Sequence, residues 1–229
     1  MFFYNFSPEY LMIMFITIAI TGFASFRVRS AYAKFSRIET TQGLSGYETA
    51  RKILDANGLG SIQVVPVKGT LSDHYDPARK VVRLSEENFY GRSIAAVSVA
   101  AHEVGHALQD ANAYAFLNIR TALVPVVNFS TNTSWLLILL GILFGMTELA
   151  YIGVLLFGAG FLFQVITLPV EFNASSRALQ QLNQYGIVTG SELKGAQNVL
   201  SAAALTYVAA ALSSLLYFLY LLSSVRRNN

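Results

Sequence analysis

His102-Glu103-Val104-Gly105-His106 is the stretch on which the reading of this chain turns. On a helix of 3.6 residues per turn, positions i and i+4 stack on one face, so both imidazoles reach a common point. Glu103 points in a neighbouring direction, where a carboxylate can take a proton from a water that a shared metal ion acidifies. Val99, Ala100 and Ala101 precede the motif and Ala107 and Leu108 follow it, an uncharged setting suited to a helix packed inside its domain. The pattern has three fixed positions, and chance alone would place one in a chain of this length with a probability on the order of 1%. The chain has only three histidines, and two of them stand here. The stretch predicts a helix over residues 93–110 that holds one zinc ion.

Around this helix the composition is that of a membrane protein. Of 229 residues, 54% are hydrophobic and 13% charged, about half the charge of a typical soluble domain. Residues 11–26 carry no charge, and Tyr10, Phe2, Phe3 and Phe6 lengthen the run. Residues 151–170 are uncharged and long enough to cross a hydrocarbon core, and 201–225 form another charge-free segment. Residues 135–147 are short for a span unless their helix continues through the polar patch from Asn128 to Ser134. The expectation is an integral membrane protein with about four spans.

The first apolar run reads as an uncleaved anchor rather than a signal peptide. No Lys or Arg precedes it, and Ala24-Ser25-Phe26 is a poor cleavage site. Arg27, Arg29, Lys34 and Arg37 follow closely, so the positive-inside rule puts residue 27 onward in the cytoplasm. The stretch around Glu148 lacks Lys and Arg and belongs outside, while Arg177 and Lys194 return to the cytoplasm; Arg226 and Arg227 dissent if the last segment spans fully. This asymmetry accounts for the net charge of +3 without a nucleic-acid partner. The absence of cysteine excludes disulfides, thiol nucleophiles and Cys-ligated metal.

Residues 27–118 hold most of the charge and read as a cytoplasmic module. Ser45-Gly46-Tyr47-Glu48 has the form of a capping box, opening a helix that Asn57-Gly58 ends. Residues 62–67 and 80–84 are predicted strands, joined by a loop through Ser72-Asp73-His74-Tyr75-Asp76-Pro77. Ser85-Glu86-Glu87 reads as a cap leading into a short turn. An intramembrane position for the motif is the less favoured alternative, because only ten positions separate Arg92 from Glu103 and no later apolar segment contains an Asp.

Catalytic zinc takes three protein ligands and keeps one position open. Six residues after His106, where an extended motif would place another histidine, the chain has Asn112. Glu171 is the favoured third ligand: it follows Pro169 at the end of an apolar segment and is expected to begin a new helix. Its alternative role is a carboxylate capping that helix, and His74 is the fallback ligand.

The run SDHYDPARKVVRLSEENFYGRSIAAVSVAAHEVGHALQ, residues 72–109, resembles the bacterial membrane-bound neutral zinc metallopeptidases called YugP-like. These are similar to the integral-membrane gluzincins, which include the CAAX prenyl protease and the heat-shock-induced membrane protease. The resemblance extends over nearly the whole chain. It implies a mainly α membrane protein with about four transmembrane helices and a small α+β gluzincin-like module. The expected division is residues 1–26 as anchor, 27–118 as zinc-protease module, 119–168 as transmembrane hairpin, 169–200 as a helical segment carrying the third ligand, and 201–229 as the last span. It also implies His102, His106 and Glu171 as zinc ligands and Glu103 as catalytic base. The integral-membrane relatives have Glu-x-x-x-Asp, whereas this chain has Ser175 at the fifth position, which can bond an imidazole N–H but carries no charge.

An oxyanion needs stabilisation besides the metal. His74 and Arg177 are the main polar residues expected to reach it, with Tyr75 on weaker grounds; Arg177 would alternatively pair with Asp73 or Asp76. The resemblance further implies that the strand over 79–84 is an edge strand to which an extended peptide adds; an ordinary core strand is the alternative, and the alternation is too brief to decide. Substrates would then be polypeptides, membrane proteins among them, with the bilayer as the other partner; no protein partner is legible. The rival readings are a non-catalytic scaffold with structural zinc, which would not need Glu103, and a transporter, for which the spans carry too few ionisable residues.

Overall fold

The computed structural model describes residues 7–227; the expected lengthening of the first run by Phe2, Phe3 and Phe6 lies outside the described residues. In chain order the elements are α1 (Pro8–Phe35), α2 (Gly46–Ala56), β1 (Gln63–Val67), β2 (His74–Asp76), β3 (Val81–Ser85), α3 (Glu86–Tyr90), α4 (Ile94–Ala111), α5 (Ala115–Phe144), α6 (Thr147–Gln184) and α7 (Ser191–Arg227). The protein is mainly α, with one small three-stranded sheet. Its residues form two compact units, and α1, α5, α6 and α7 each contribute to both.

The first unit, residues 7–25, Ile119–Leu168 and 206–227, is the membrane part. Helices α1, α5, α6 and α7 are each long and apolar enough to cross a bilayer. Most of their apolar side chains face outward: Phe23, Phe129, Trp135 and Phe144 are all exposed. A surface of that kind needs lipid around it. The polar patch from Asn128 to Ser134 does not break α5. Ser134 turns its hydroxyl back to the Thr131 carbonyl at 2.8 Å, and Ser130 and Ser134 are buried. The 30 residues of α5 therefore rise about 45 Å, more than a hydrocarbon core requires. Gly145, at φ +65°, ends α5 while the Met146 N–H reaches back to the Gly141 carbonyl at 2.8 Å, a C-cap that turns the chain into α6. The hairpin packs on small residues: a Cβ at Gly153 would lie 2.8 Å from the Ile138 backbone nitrogen.

The second unit, Phe26–Asn118 with Pro169–Leu205, carries the sheet and the histidine motif. Its sheet has the order β1-β3-β2, with β1 parallel and β2 antiparallel to β3. The predicted strand over 79–84 is therefore central, and both its edges are occupied; the edge-strand expectation is overturned. The segment 74–76, expected as loop, is the strand β2 instead. Three residues, two of them polar, show no alternation by which a strand could be recognised. The Asp76 side chain builds the turn, accepting the N–H groups of Ala78 and Arg79 at 3.0 Å. The Arg83 guanidinium donates to Asp76 at 2.9 Å and, with those N–H groups, holds its carboxyl down at about 2.

The capping box forms: Ser45 Oγ accepts the Glu48 N–H and Glu48 Oε2 accepts the Ser45 N–H. Such a cap contributes about 1 kcal/mol. It sets α2 with Ala50, Ile53 and Leu54 inside the core, beside Val82 and Leu84 of β3 and Val97, Ala100 and Val104 of α4. Ala178 and Leu182 of α6 and Ala196, Val199 and Leu200 of α7 close the same core.

One contact in this core positions everything that follows. A Cβ at Gly105 would lie 2.6 Å from the Ala174 carbonyl oxygen and 3.2 Å from its Cα. Glycine at this point lets the backbones of α4 and α6 touch. Pro169, expected to separate a span from a new helix, lies inside α6, which runs unbroken through it. Glu171 therefore begins no helix, and its reading as an N-terminal cap is overturned.

Replacing Gly105 by Ala tests this packing. Alanine favours a helix over glycine by about 1 kcal/mol, whereas overpacking against backbone costs about 1–3 kcal/mol. Gly105→Ala is expected to lower the thermal unfolding midpoint of the detergent-solubilised chain; a raised midpoint would show that the helices have room to part.

Candidate metal centre

Ser93 caps α4, its Oγ accepting the Ala96 N–H at 3.2 Å. From there the helix is buried along nearly all its length, because Ala95, Ala96, Ala100, Ala101 and Ala107 allow close neighbours on several sides. His102 and His106 project from one face as expected, with ring centroids 4.8 Å apart and planes at 85°. Across from them, Glu171 of α6 is only 2% exposed. Its Oε2 lies 3.3 Å from His102 Nε2 and 3.6 Å from His106 Nε2. The three donor atoms all lie within 4.8 Å of one another.

The other ring nitrogens are engaged elsewhere. His102 Nδ1 is 3.2 Å from Ser175 Oγ, and His106 Nδ1 is 3.0 Å from Gln109 Oε1. Both Nε2 atoms are thus left for the shared point. Zinc bonds of about 2.0–2.1 Å in a tetrahedron would separate neighbouring ligands by about 3.3–3.4 Å. The 3.3 Å from His102 Nε2 to Oε2 matches that span and the 3.6 Å from His106 Nε2 lies just beyond it; two imidazoles with one carboxylate suit zinc's preference for N and O donors. The residues present fit a zinc ion.

Glu103 is buried beside this group at 8% exposure. Burial pushes its carboxyl above the usual carboxylate range, against the opposing pull of His102 and His106; the negative charges of Asp73 and Glu171 push it further up. A carboxylate so placed holds a proton more readily than one in water.

The other residues singled out by sequence stand apart. His74 is exposed on β2, its Nδ1 2.8 Å from the Ser72 carbonyl and its Nε2 3.3 Å from Arg83. It is not a member of the donor group. Tyr75 donates its hydroxyl to Asp110 at 2.6 Å, and Lys80 binds the same carboxylate. Arg177 donates its Nε to Asn173 Oδ1 at 2.8 Å. Among the described residues it pairs with neither aspartate: Asp73 accepts from Ser85 and Asn88, and Asp76 is held by Arg83 and Arg79.

Two polar residues behind the donors escaped the sequence reading. Gln109 is wholly buried, and its amide contacts His106, Val170 and Asn173. The one available signal was its position three residues after His106, on the same face of a helix otherwise apolar there. Asn173 gave none, because its connection to α4 exists only in the folded chain.

The family described as "Putative neutral zinc metallopeptidase" matches residues 10–226. A Bacillus subtilis (strain 168) protein described as "Putative membrane protease YugP" is 54% identical over 208 residues, covering 90% of this chain and 92% of its own. No solved structure matches the chain. A family match over nearly the full length, four helices fit to span a membrane and a donor set that fits zinc agree, and the chain belongs to this family of membrane zinc metallopeptidases.

Proposed function

We propose that the protein is a membrane-anchored zinc endopeptidase of gluzincin type, with His102, His106 and Glu171 as zinc ligands and Glu103 as the catalytic base. The observation that carries this reading is the convergence of both Nε2 atoms on one Glu171 oxygen, with a buried carboxylate beside them. Zinc held there supplies Lewis-acid polarisation of the scissile carbonyl and acidifies water. Glu103 takes the proton from the attacking water and passes it to the leaving amine. As ligands, His102 and His106 would each be oriented through its Nδ1 contact.

The geometry gives no support to His74 as a ligand or an oxyanion partner, because both its ring nitrogens are engaged on the exposed face of β2. A structural zinc would account for the three ligands but leave Glu103 buried without use, so the catalytic reading is preferred. Asp73, whose charge reaches Glu103, immediately precedes β2. β2 is the edge strand on that side of the sheet. An extended polypeptide adding to β2 would pass beside the base.

Glu171 follows the apolar run 151–170 on one continuous helix, so the site cannot diffuse away from the bilayer. Polypeptides in or near the membrane are the substrates this tether favours. Arg27, Arg29, Lys34 and Arg37, close after the first apolar run, support a site on the cytoplasmic side by the positive-inside rule. The chain has no cysteine, so single cysteines report topology cleanly. Glu148→Cys is expected to react with an impermeant thiol reagent on intact cells and Lys68→Cys only after lysis; the reverse pattern would invert the orientation.

Activity tests the central assignment. Detergent-purified native protein is expected to hold about one zinc per chain, by the three-ligand rule, and to cleave a membrane polypeptide in preference to soluble casein. Glu103→Gln should keep the zinc and lose roughly 10²–10⁴-fold in rate, the usual weight of a general base. Glu171→Ala should lose the metal. Zinc retained by Glu171→Ala, or full activity in Glu103→Gln, would contradict the assignment, and free cutting of casein with membrane polypeptides ignored would contradict the substrate class.

A further inference from the structure

Behind His106 runs a series of hydrogen bonds whose direction can be read from its far end. Arg177 has donors and no acceptor. Its Nε lies 2.8 Å from the Asn173 side chain, so the atom it meets there must be the amide oxygen, Oδ1. The same oxygen lies 3.0 Å from the Gln109 amide, and an acceptor must meet a donor, so that end of Gln109 is Nε2. Its second N–H goes to the Val170 carbonyl at 2.7 Å. Turning the amide over would bring its oxygen against two other oxygens, so the orientation follows from chemistry and not from a choice between look-alike atoms. The other end of Gln109 is therefore Oε1, which only accepts, and it faces His106 Nδ1 at 3.0 Å. A proton on Nδ1 is required. A neutral imidazole protonated on Nδ1 carries its lone pair on Nε2, the nitrogen directed at Glu171 Oε2.

We infer that Arg177, Asn173 and Gln109 form a positioning relay that locks His106 in the tautomer presenting a bare Nε2 to the metal centre. Gln109 is 0% exposed, so no bulk water substitutes for a lost partner, and a broken link leaves a buried polar group unsatisfied. Each of its three hydrogen-bonding contacts is made within 3.0 Å. His102 is held differently. Its neighbour Ser175 Oγ, at 3.2 Å, is a hydroxyl that donates or accepts as needed, so it dictates no tautomer. One ligand is thus fixed by a chain of set polarity and the other by a rotor. Arg177 acts through Asn173 and Gln109 and is a positioning residue, in place of the oxyanion role expected from sequence.

The purpose of the relay rests on the zinc-centre reading; its geometry does not. The test uses the full chain in detergent, ring-¹⁵N-labelled at its three histidines, stripped of metal by chelator at a pH where imidazole is neutral. His106 is identified by the signal lost in His106→Gln. In the native protein His106 is expected to carry its proton on Nδ1. In Gln109→Leu and Asn173→Leu the Nε2–H form should appear, and zinc affinity in chelator competition should fall about 10–100-fold, as for other outer partners of metal-bound histidines. Asn173→Asp keeps an oxygen toward both Gln109 and Arg177 and is expected to retain the native tautomer and near-native affinity. A native His106 protonated on Nε2 overturns the relay, and this readout needs no variant to fold. An unchanged tautomer and affinity in Gln109→Leu overturns it equally. Should the native chain bind no zinc, the zinc-centre reading falls, while the tautomer still decides the relay.

Discussion

The backbone contact between α4 and α6, at Gly105 and Ala174, is the constraint on which the site depends. His102 and His106 can share a metal by helical spacing alone, but two ligands do not make a catalytic centre. The third candidate donor, Glu171, stands on α6, sixty-five positions after His106, and its carboxylate has to reach both Nε2 atoms at once. Only a backbone-to-backbone approach puts Glu171 Oε2 within 3.3 and 3.6 Å of them. The approach also buries Glu171, and taking a carboxylate out of water costs several kcal/mol unless a compensating charge is close. A dication held among the three donors would supply that charge.

The same helix joins the centre to the membrane part in one covalent element. α6 runs through Pro169 without a break, and the carbonyls of Pro169 and Val170 receive side-chain donors from Tyr114 and Gln109. Apolar residues precede this point in α6 and ligand-bearing ones follow it. The candidate ligand Glu171 thus shares one unbroken helix with the apolar run 151–170.

Local signals in the sequence were sufficient for the histidine helix, the Ser45 capping box and the four apolar helices, because each is written in local spacing and composition. Glu171 was legible as a candidate third ligand, and it does lie with His102 and His106 in the fold. Its setting was not, since a proline after an apolar run ordinarily marks a helix boundary and here the helix absorbs it. β2 was missed because it is three residues long, and sheet order was misjudged because β1, distant in sequence, occupies the other side of β3. His74 drew attention by rarity alone, and its surroundings on the exposed face of β2 do not place it with the other two histidines. Asn173 was invisible and Gln109 showed only its place on the His106 face, because their importance lies in complementary donors and acceptors across two helices, which no single-helix pattern encodes.

X-ray absorption at the zinc edge of the purified native chain tests the central claim most directly, because it counts ligands by type without reference to activity. The account predicts two imidazole nitrogens with the remaining donors oxygen, from Glu171 and solvent. A spectrum with three imidazoles would bring His74 into the centre and contradict the assembly of the site by α4 and α6.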